Sequence, residues 1–262
     1  MAEYQYLMVK KEEGVAIVML NNPPVNSLKT DLVKELDKVF DELEKDEEVK
    51  AVVITGAGEY AFSAGADVKE LADMSPDEAI EIVKLGHRVF TKIENFPKPV
   101  IAAINRLALG GGLELALACD IRIAGDRTRL GSPETNLGLI PAWGGTQRLA
   151  RVVGAAKAKE MIFTGVYISA QEAFRIGLVN RVVPDGEELN AAIDLARRII
   201  TRSSPLAVSC AKRAINKGLQ IPNIEEALNV EVEEIKILAK SEDLKEGITA
   251  FLEKRSPQFK GK

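Results

Sequence analysis

Two glutamates, Glu114 and Glu134, are the side chains whose type and setting best suit chemistry. Each opens a predicted helix directly after a turn of small residues, in A-L-G-G-G-L-E-L-A-L-A-C-D (Ala108 to Asp120) and L-G-S-P-E-T-N-L-G-L-I-P (Leu130 to Pro141). The positive end of a helix dipole favours a charged carboxylate in the first turn, so both are expected to be held ionised. A lone glutamate there is ordinarily a surface residue that complements the dipole. Two, each following a tight turn near the end of a strand, can divide proton removal from proton delivery in one pocket. That pattern points to an enzyme.

Two glycine-containing turns stand beside the pair. S-A-G-A-D (Ser63 to Asp67) follows a buried strand, the place where parallel α/β sheets bind ligands. Gly65 ahead of Ala66 lets the backbone approach a ligand and leaves amide N–H groups to donate; taken alone, the segment is a plain turn. G-G-G (Gly110 to Gly112) precedes the helix of Glu114, where the helix N-terminus adds aligned donors. It matches neither G-x-G-x-x-G nor G-x-x-x-x-G-K-[ST], so a nucleotide loop is the weaker reading. An oxyanion hole built from one N–H of this turn and one near Ala66 fits better, each donor stabilising a transition state by roughly 3–4 kcal/mol.

Other catalysts find little support. The single histidine, His87, falls in register with Ile80, Val83 and Phe90 and is expected to be a packed or boundary residue. With one histidine, no G-x-S-x-G elbow and no H-E-x-x-H, neither a serine hydrolase nor a zinc hydrolase is indicated. No metal-ligand cluster is evident. Cys119 and Cys210 lack ligand spacing, and Cys119, in L-A-L-A-C, reads as an inert buried thiol in a reducing compartment.

The elements that must position these residues alternate. Val15 to Leu20, Ala51 to Thr55 and Val100 to Ile104 read as buried strands, and Ile121 to Ala124 as a fourth. Between them, Leu32, Leu36, Val39 and Leu43 recur at helical spacing, and Ser75-Pro76-Asp77-Glu78 starts a helix that runs to about Glu94, before Pro97 and Pro99. Strands apolar on both faces, alternating with amphipathic helices, predict a parallel β/α architecture. From about Thr146 the pattern is nearly all helical. Ile224, Leu228, Val232 and Ile235 form a stripe that either covers the core or meets another subunit.

The 262 residues show no linker, repeat or low-complexity tract, so one core with a helical extension is expected rather than two independent domains. A net charge of −4 argues against a nucleic-acid binder, and the pairs Lys10-Lys11, Arg197-Arg198 and Lys212-Arg213 are too short for basic tracts. No apolar run approaches a membrane span. The stretch M-A-E-Y-Q-Y-L-M-V-K-K-E-E-G has no signal-peptide or transit-peptide character, so a cytoplasmic location is expected.

These residues resemble the enoyl-CoA hydratase/crotonase family. The resemblance runs from V-A-I-V-M-L-N-N-P-P-V-N-S-L (15–28) through A-F-S-A-G-A-D-V-K-E-L (61–71), K-P-V-I-A-A-I-N (98–105), G-G-G-L-E-L-A-L-A-C-D (110–120) and G-S-P-E-T-N-L-G-L-I-P-A-W-G-G-T-Q-R-L (131–149). I-S-A-Q-E-A-F-R-I-G-L-V-N-R-V-V (168–183) is a later echo. It implies an α/β crotonase (ClpP-like) spiral of ββα units over residues 1–200, carrying the active site, and a C-terminal helical region over 201–262 that drives trimer formation, often as a hexamer of two trimers. It implies an acyl-CoA thioester substrate and no separate cofactor, since coenzyme A is part of the substrate. Ala66 and Gly111 take the positions of the oxyanion-hole donors, with Ala66, Asp67, Val68 and Lys69 along the coenzyme A moiety. On the family pattern Glu114 would activate water and Glu134 protonate the α-carbon, with the roles swapped in the reverse reaction, and the sequence leaves open which of the two is the base.

Hydratases of the family use both glutamates, whereas isomerases typically keep the second, so the pair favours reversible hydration of a trans-2-enoyl-CoA to 3-hydroxyacyl-CoA, as in fatty-acid β-oxidation. The alternatives are an enoyl-CoA isomerase or methylglutaconyl-CoA hydratase of the same fold, an RNA-binding paralogue, which the acidic balance disfavours, and a non-catalytic trimer. Trp143 departs from the small residue many relatives carry in P-x-x-G-G-T-Q. An indole there either floors the acyl pocket, favouring short chains, or packs under the helix or at a subunit contact.

Overall fold

In the computed structural model, residues 4–262 are described; Met1–Glu3, the start of the stretch read for targeting signals, lie outside the described residues. Strands β1 (Leu7–Glu12) and β2 (Val15–Leu20) form an antiparallel hairpin through Glu13 and Gly14. The chain then crosses over through α1 (Thr30–Lys45) to β3 (Ala51–Gly56), which pairs with β2 in parallel. All four apolar positions of the predicted helical stripe are buried in α1, joined by Val33 and Phe40. A short α2 (Val68–Ala72) precedes α3 (Pro76–Glu94). The latter starts in a capping box: Glu78 N–H donates to the Ser75 hydroxyl, and Ser75 N–H donates to the Glu78 carboxylate.

Next come β4 (Val100–Ile104), β5 (Leu107–Leu109), α4 (Gly111–Ala118), β6 (Ile121–Gly125) and β7 (Arg129–Gly131). A 3-10 turn (Glu134–Leu137) leads to α5 (Gly145–Val153), α6 (Ala155–Thr164), β8 (Ile168–Ser169), α7 (Ala170–Arg175), β9 (Arg181–Val183) and α8 (Glu188–Arg202). The chain closes with α9 (Pro205–Gly218), α10 (Ile224–Leu238) and α11 (Glu242–Leu252).

The main sheet runs β1-β2-β3-β4-β6-β9, parallel from β2 onward. A second, smaller sheet, β5-β7-β8, continues as parallel bridges from Ser63 to Ala108 and from Leu28 to Ala66. Successive turns of the chain therefore each give one strand to the large sheet and a short extended piece to the small layer. This is the ββα spiral of the crotonase fold. Alternate residues of the parallel strands face opposite ways. Ala16, Val18 and Leu20 point into the core under α1, α3 and α4, while Val15 and Ile17 meet Ala192, Ile193 and Ala196 of α8.

The helical reading after Thr146 needs correction at two places. β8 and β9 interrupt it, and β9 is the edge of the main sheet. With two and three residues, they are too short for periodicity to register. β1 was also invisible as a strand, because half of it faces solvent with Met8, Lys10 and Lys11. The stripe on α10 does not cover the core: Ile224, Leu228, Val232 and Ile235 are all exposed on the single chain. His87 is exposed rather than packed; the buried face of α3 is Leu85, Gly86, Val89, Phe90 and Ile93.

Candidate active site

The turn before α2 and the turn before α4 touch. Gly65 has a left-handed φ of 94°, and a side chain there would come within 2.8 Å of the Leu109 carbonyl oxygen and 3.1 Å of the Gly111 nitrogen. On the other side, a side chain on Gly112 would strike the Ser63 carbonyl oxygen at 2.3 Å. Only glycines permit this approach, which sets the Ala66 and Gly111 amides side by side. Among the described residues, neither amide donates to a carbonyl of the turns and loops. Both line one cavity of about 170 Å3 that also contains Glu114, Glu134, Val68 and Trp143.

Glu114 lies in the first turn of α4 and is 3% exposed. Its Oε1 accepts the N–H of Trp143 at 2.8 Å and of Gly145 at 2.7 Å. Gly145 is the first residue of α5, so this carboxylate also faces the N-terminal end of a second helix. The expectation of a readily ionised pair nevertheless fails. Burial pushes the Glu114 carboxyl up to about 8, against the opposing pull of the two amides, with the neighbouring Glu134 adding to the rise. Magnitudes explain the outcome: a helix terminus stabilises an anion by about 0.3–1 kcal/mol, whereas desolvating a charge costs several kcal/mol.

Glu134 opens a single 3-10 turn rather than an α-helix. Pro133 precedes it without a donor, Gly138 ends it in the left-handed region at φ 74°, and Pro141 follows soon after. Burial raises this carboxyl as well. Both of its oxygens are buried without a hydrogen-bond partner among the described residues. A carboxyl in that setting holds its proton more firmly and is left to bond whatever enters the cavity.

Trp143 fills one end of the cavity and is buried. Its ring meets Phe90 edge-on with centroids 5.7 Å apart, and it occupies the space a side chain on Gly86 would need, at 2.3 Å. It is thus both packed and pocket-forming. Asp67 and Lys69 sit just outside the cavity: the Asp67 carboxylate accepts the Lys69 N–H at 3.0 Å, capping α2, and the Lys69 side chain is exposed. Sequence reasoning missed the amides of Trp143 and Gly145 that hold Glu114, and the apolar wall of Leu71, Ile82, Leu139 and Ile140. The adjacent glycines after Trp143 were the available signal for the first.

Residues 10–262 match the sequence profile of the family described as enoyl-CoA hydratase/isomerase. The chain belongs to that family. It is 48% identical over 254 residues to a short-chain-enoyl-CoA hydratase of Clostridium acetobutylicum, covering 97% of each chain. It is 43% identical to a crotonyl-CoA hydratase of Syntrophomonas wolfei, covering 98% of each. Among solved structures, an enoyl-CoA hydratase from Bacillus anthracis superposes with a TM-score of 0.94 at 42% identity, across 98% of this chain and all of that one. Such likeness spans the spiral and the closing helices alike. No helix among the described residues is long and apolar enough to cross a membrane.

Proposed function

We propose that the protein is an enoyl-CoA hydratase that adds water reversibly, with syn geometry, across the 2,3 double bond of a trans-2-enoyl-CoA to give the 3-hydroxyacyl-CoA. The observation that carries this reading is two buried carboxyls of raised proton affinity facing one cavity, beside two amides that, among the described residues, donate to no carbonyl of the turns and loops. Adding water needs one group that takes a proton and another that gives one at the same pH. A pair whose affinities are lifted toward neutrality supplies both.

In this mechanism the thioester oxygen accepts hydrogen bonds from the Ala66 and Gly111 amides, which stabilise the enolate charge as it develops. In the form of the pair that carries a single proton on Glu134, the ionised Glu114 removes a proton from a water held between the two carboxyls while the water oxygen bonds to the β-carbon. Protonated Glu134 then delivers its proton to the α-carbon. One proton is taken and one given, so the pair ends each cycle with one proton, on the other member, and returns by exchange with solvent. The two carboxyls titrate as a coupled pair. Nothing in the scheme calls for a metal or a separate cofactor. Val68, Asp67 and Lys69 lie along the path by which the coenzyme A moiety would leave the cavity.

The small cavity closed by Trp143 supports a short acyl chain, in keeping with the names of the two bacterial relatives. We further read residues 1–200 as the catalytic spiral and residues 201–262 as the region of homotrimer or homohexamer assembly, in a cytoplasmic enzyme of acyl-CoA degradation. The test is loss of the enoyl-thioester absorbance with crotonyl-CoA. Glu114→Gln is expected to lower turnover at least ~100-fold. Hydration at the wild-type rate by that variant would refute the reading.

A further inference from the structure

Glu114 is gripped by a turn, and that turn is itself held by residues no part of the mechanism uses. The amides on Glu114 Oε1 belong to Trp143 and Gly145. The carbonyl of Trp143 accepts a hydrogen bond from Arg148 Nη1 at 3.1 Å. Arg148, on α5, is in turn braced by α3: its Nε and Nη2 donate to Glu94 Oε2 at 3.1 and 2.7 Å, and Nη2 donates to the Thr91 hydroxyl at 3.1 Å. One residue earlier in the turn, the Ala142 carbonyl lies 2.6 Å from His87 Nε2. A carbonyl can only accept, so that nitrogen carries the proton. His87, Thr91 and Glu94 recur at i, i+4 and i+7, along one face of α3.

We propose that Arg148 is a positioning residue for the reaction: braced by Glu94 and Thr91, it holds the Trp143–Gly145 turn in the one arrangement whose two amides meet Glu114. The proposal rests on the hydratase reading for its effect on turnover, and on geometry alone for its effect on Glu114. The guanidinium is largely buried, at 12% side-chain exposure, and its planar fork spans from the turn to α3 in a way a single ammonium cannot copy. Gly144 leaves it room, since a side chain there would lie 2.2 Å from Arg148 Nη1.

The charged groups facing Glu114 are Glu134 from the 3-10 turn and Arg148 from α5. Both amide bonds and the Arg148 charge favour the ionised form of Glu114. Loosening the turn therefore raises the pH at which Glu114 titrates.

The deciding measurement is carbon-13 NMR titration of the Glu114 carboxyl in the full-length, substrate-free protein. In Arg148→Met the midpoint is expected to rise by at least about 0.5 pH. With crotonyl-CoA, kcat should fall about 10- to 100-fold while KM changes less than about threefold. The limb of the pH–rate profile that Glu114 governs should move upward with the NMR midpoint.

Glu94→Ala keeps Arg148 but removes its brace. It should shift the midpoint in the same direction by less, and add nothing in the Arg148→Met background. It also serves if Arg148→Met does not fold. An unmoved midpoint in folded Arg148→Met or Glu94→Ala protein, even with a lower melting temperature, means a merely structural role and overturns the proposal. If wild-type protein fails to hydrate crotonyl-CoA, the hydratase reading falls, while the titration still decides what Arg148 does.

Discussion

Glu114 combines two demands that conflict. The proposed catalysis asks for a carboxyl in a dry cavity, and folding penalises its charge there. The sign of the resulting pH dependence follows from the direction of the shift. When unfolded, the group titrates near its ordinary value of 4.5; when folded, it holds its proton up to about 8. Below the unfolded value both states are protonated and the native state suffers no charge penalty. Between 4.5 and about 8 the folded protein binds the extra proton, so stability falls as pH rises, then levels off once both states are ionised. The loss is at most ~5 kcal/mol for a shift of this size. Glu134, also raised, acts in the same direction. Glu114→Gln keeps an oxygen for the Trp143 and Gly145 amides and removes the charge. Its melting temperature should exceed that of wild type by more at pH 8 than at pH 5. A difference that stays constant over that range would mean Glu114 titrates as an ordinary surface glutamate.

At the scale of elements, the site is a meeting of helix starts. α4 brings Gly111 and Glu114, α5 brings the amide of Gly145, and α3 presents Gly86 and Phe90 to the indole of Trp143. Glycine inside a helix costs about 1 kcal/mol relative to alanine. At Gly86 the contact with Trp143 outweighs that cost, because no side chain fits between α3 and the ring. The indole is therefore clamped, and a clamped ring can stop an acyl chain. Trp143→Ala is expected to lower the ratio of kcat/KM for four-carbon over ten-carbon enoyl-CoA at least about tenfold, through gain on the longer substrate. An unchanged ratio would mean that the chain does not run toward Trp143.

On the scale of the whole molecule, the apolar surface is unevenly spread. Ile224, Leu228, Val232 and Ile235 on α10, with Phe251 and Leu252 at the end of α11, are exposed on the single chain. Exposed apolar side chains at helical spacing along α10 suit burial against another subunit. The homotrimer or homohexamer proposed for this protein would cover it. Light scattering is expected to give three or six chain masses, and Val232→Glu with Ile235→Glu should yield smaller species. A wild-type monomer at micromolar concentration would remove the assembly from the proposal.

Much of this protein was legible in the order of its residues. The strands Val15–Leu20, Ala51–Gly56 and Val100–Ile104 stand out because both of their faces are buried, which leaves a nearly continuous apolar run, while Ile121–Gly125 is the weaker case because Arg122 interrupts it. α1 and α3 stand out because each has one buried face and strong end signals. The paired glutamates and the glycine turns could be singled out from residue type and setting, and the fold brings them to one cavity. What needed the tertiary structure was whatever depends on neighbours remote in sequence. β9 is a strand only because β6 offers it an edge, and Glu134 sits on a 3-10 turn because the chain must turn at once between Pro133 and Pro141. The ionisation of Glu114 depends on how much water the fold removes, a quantity no local spacing contains, and so the dipole argument fails there. His87 looked like a packed or boundary residue by period and proved to be an exposed one whose ring bonds the Ala142 carbonyl in the turn over Glu114. Local sequence determined which residues are proposed to do the chemistry, and the packing of distant segments decided their protonation and their partners.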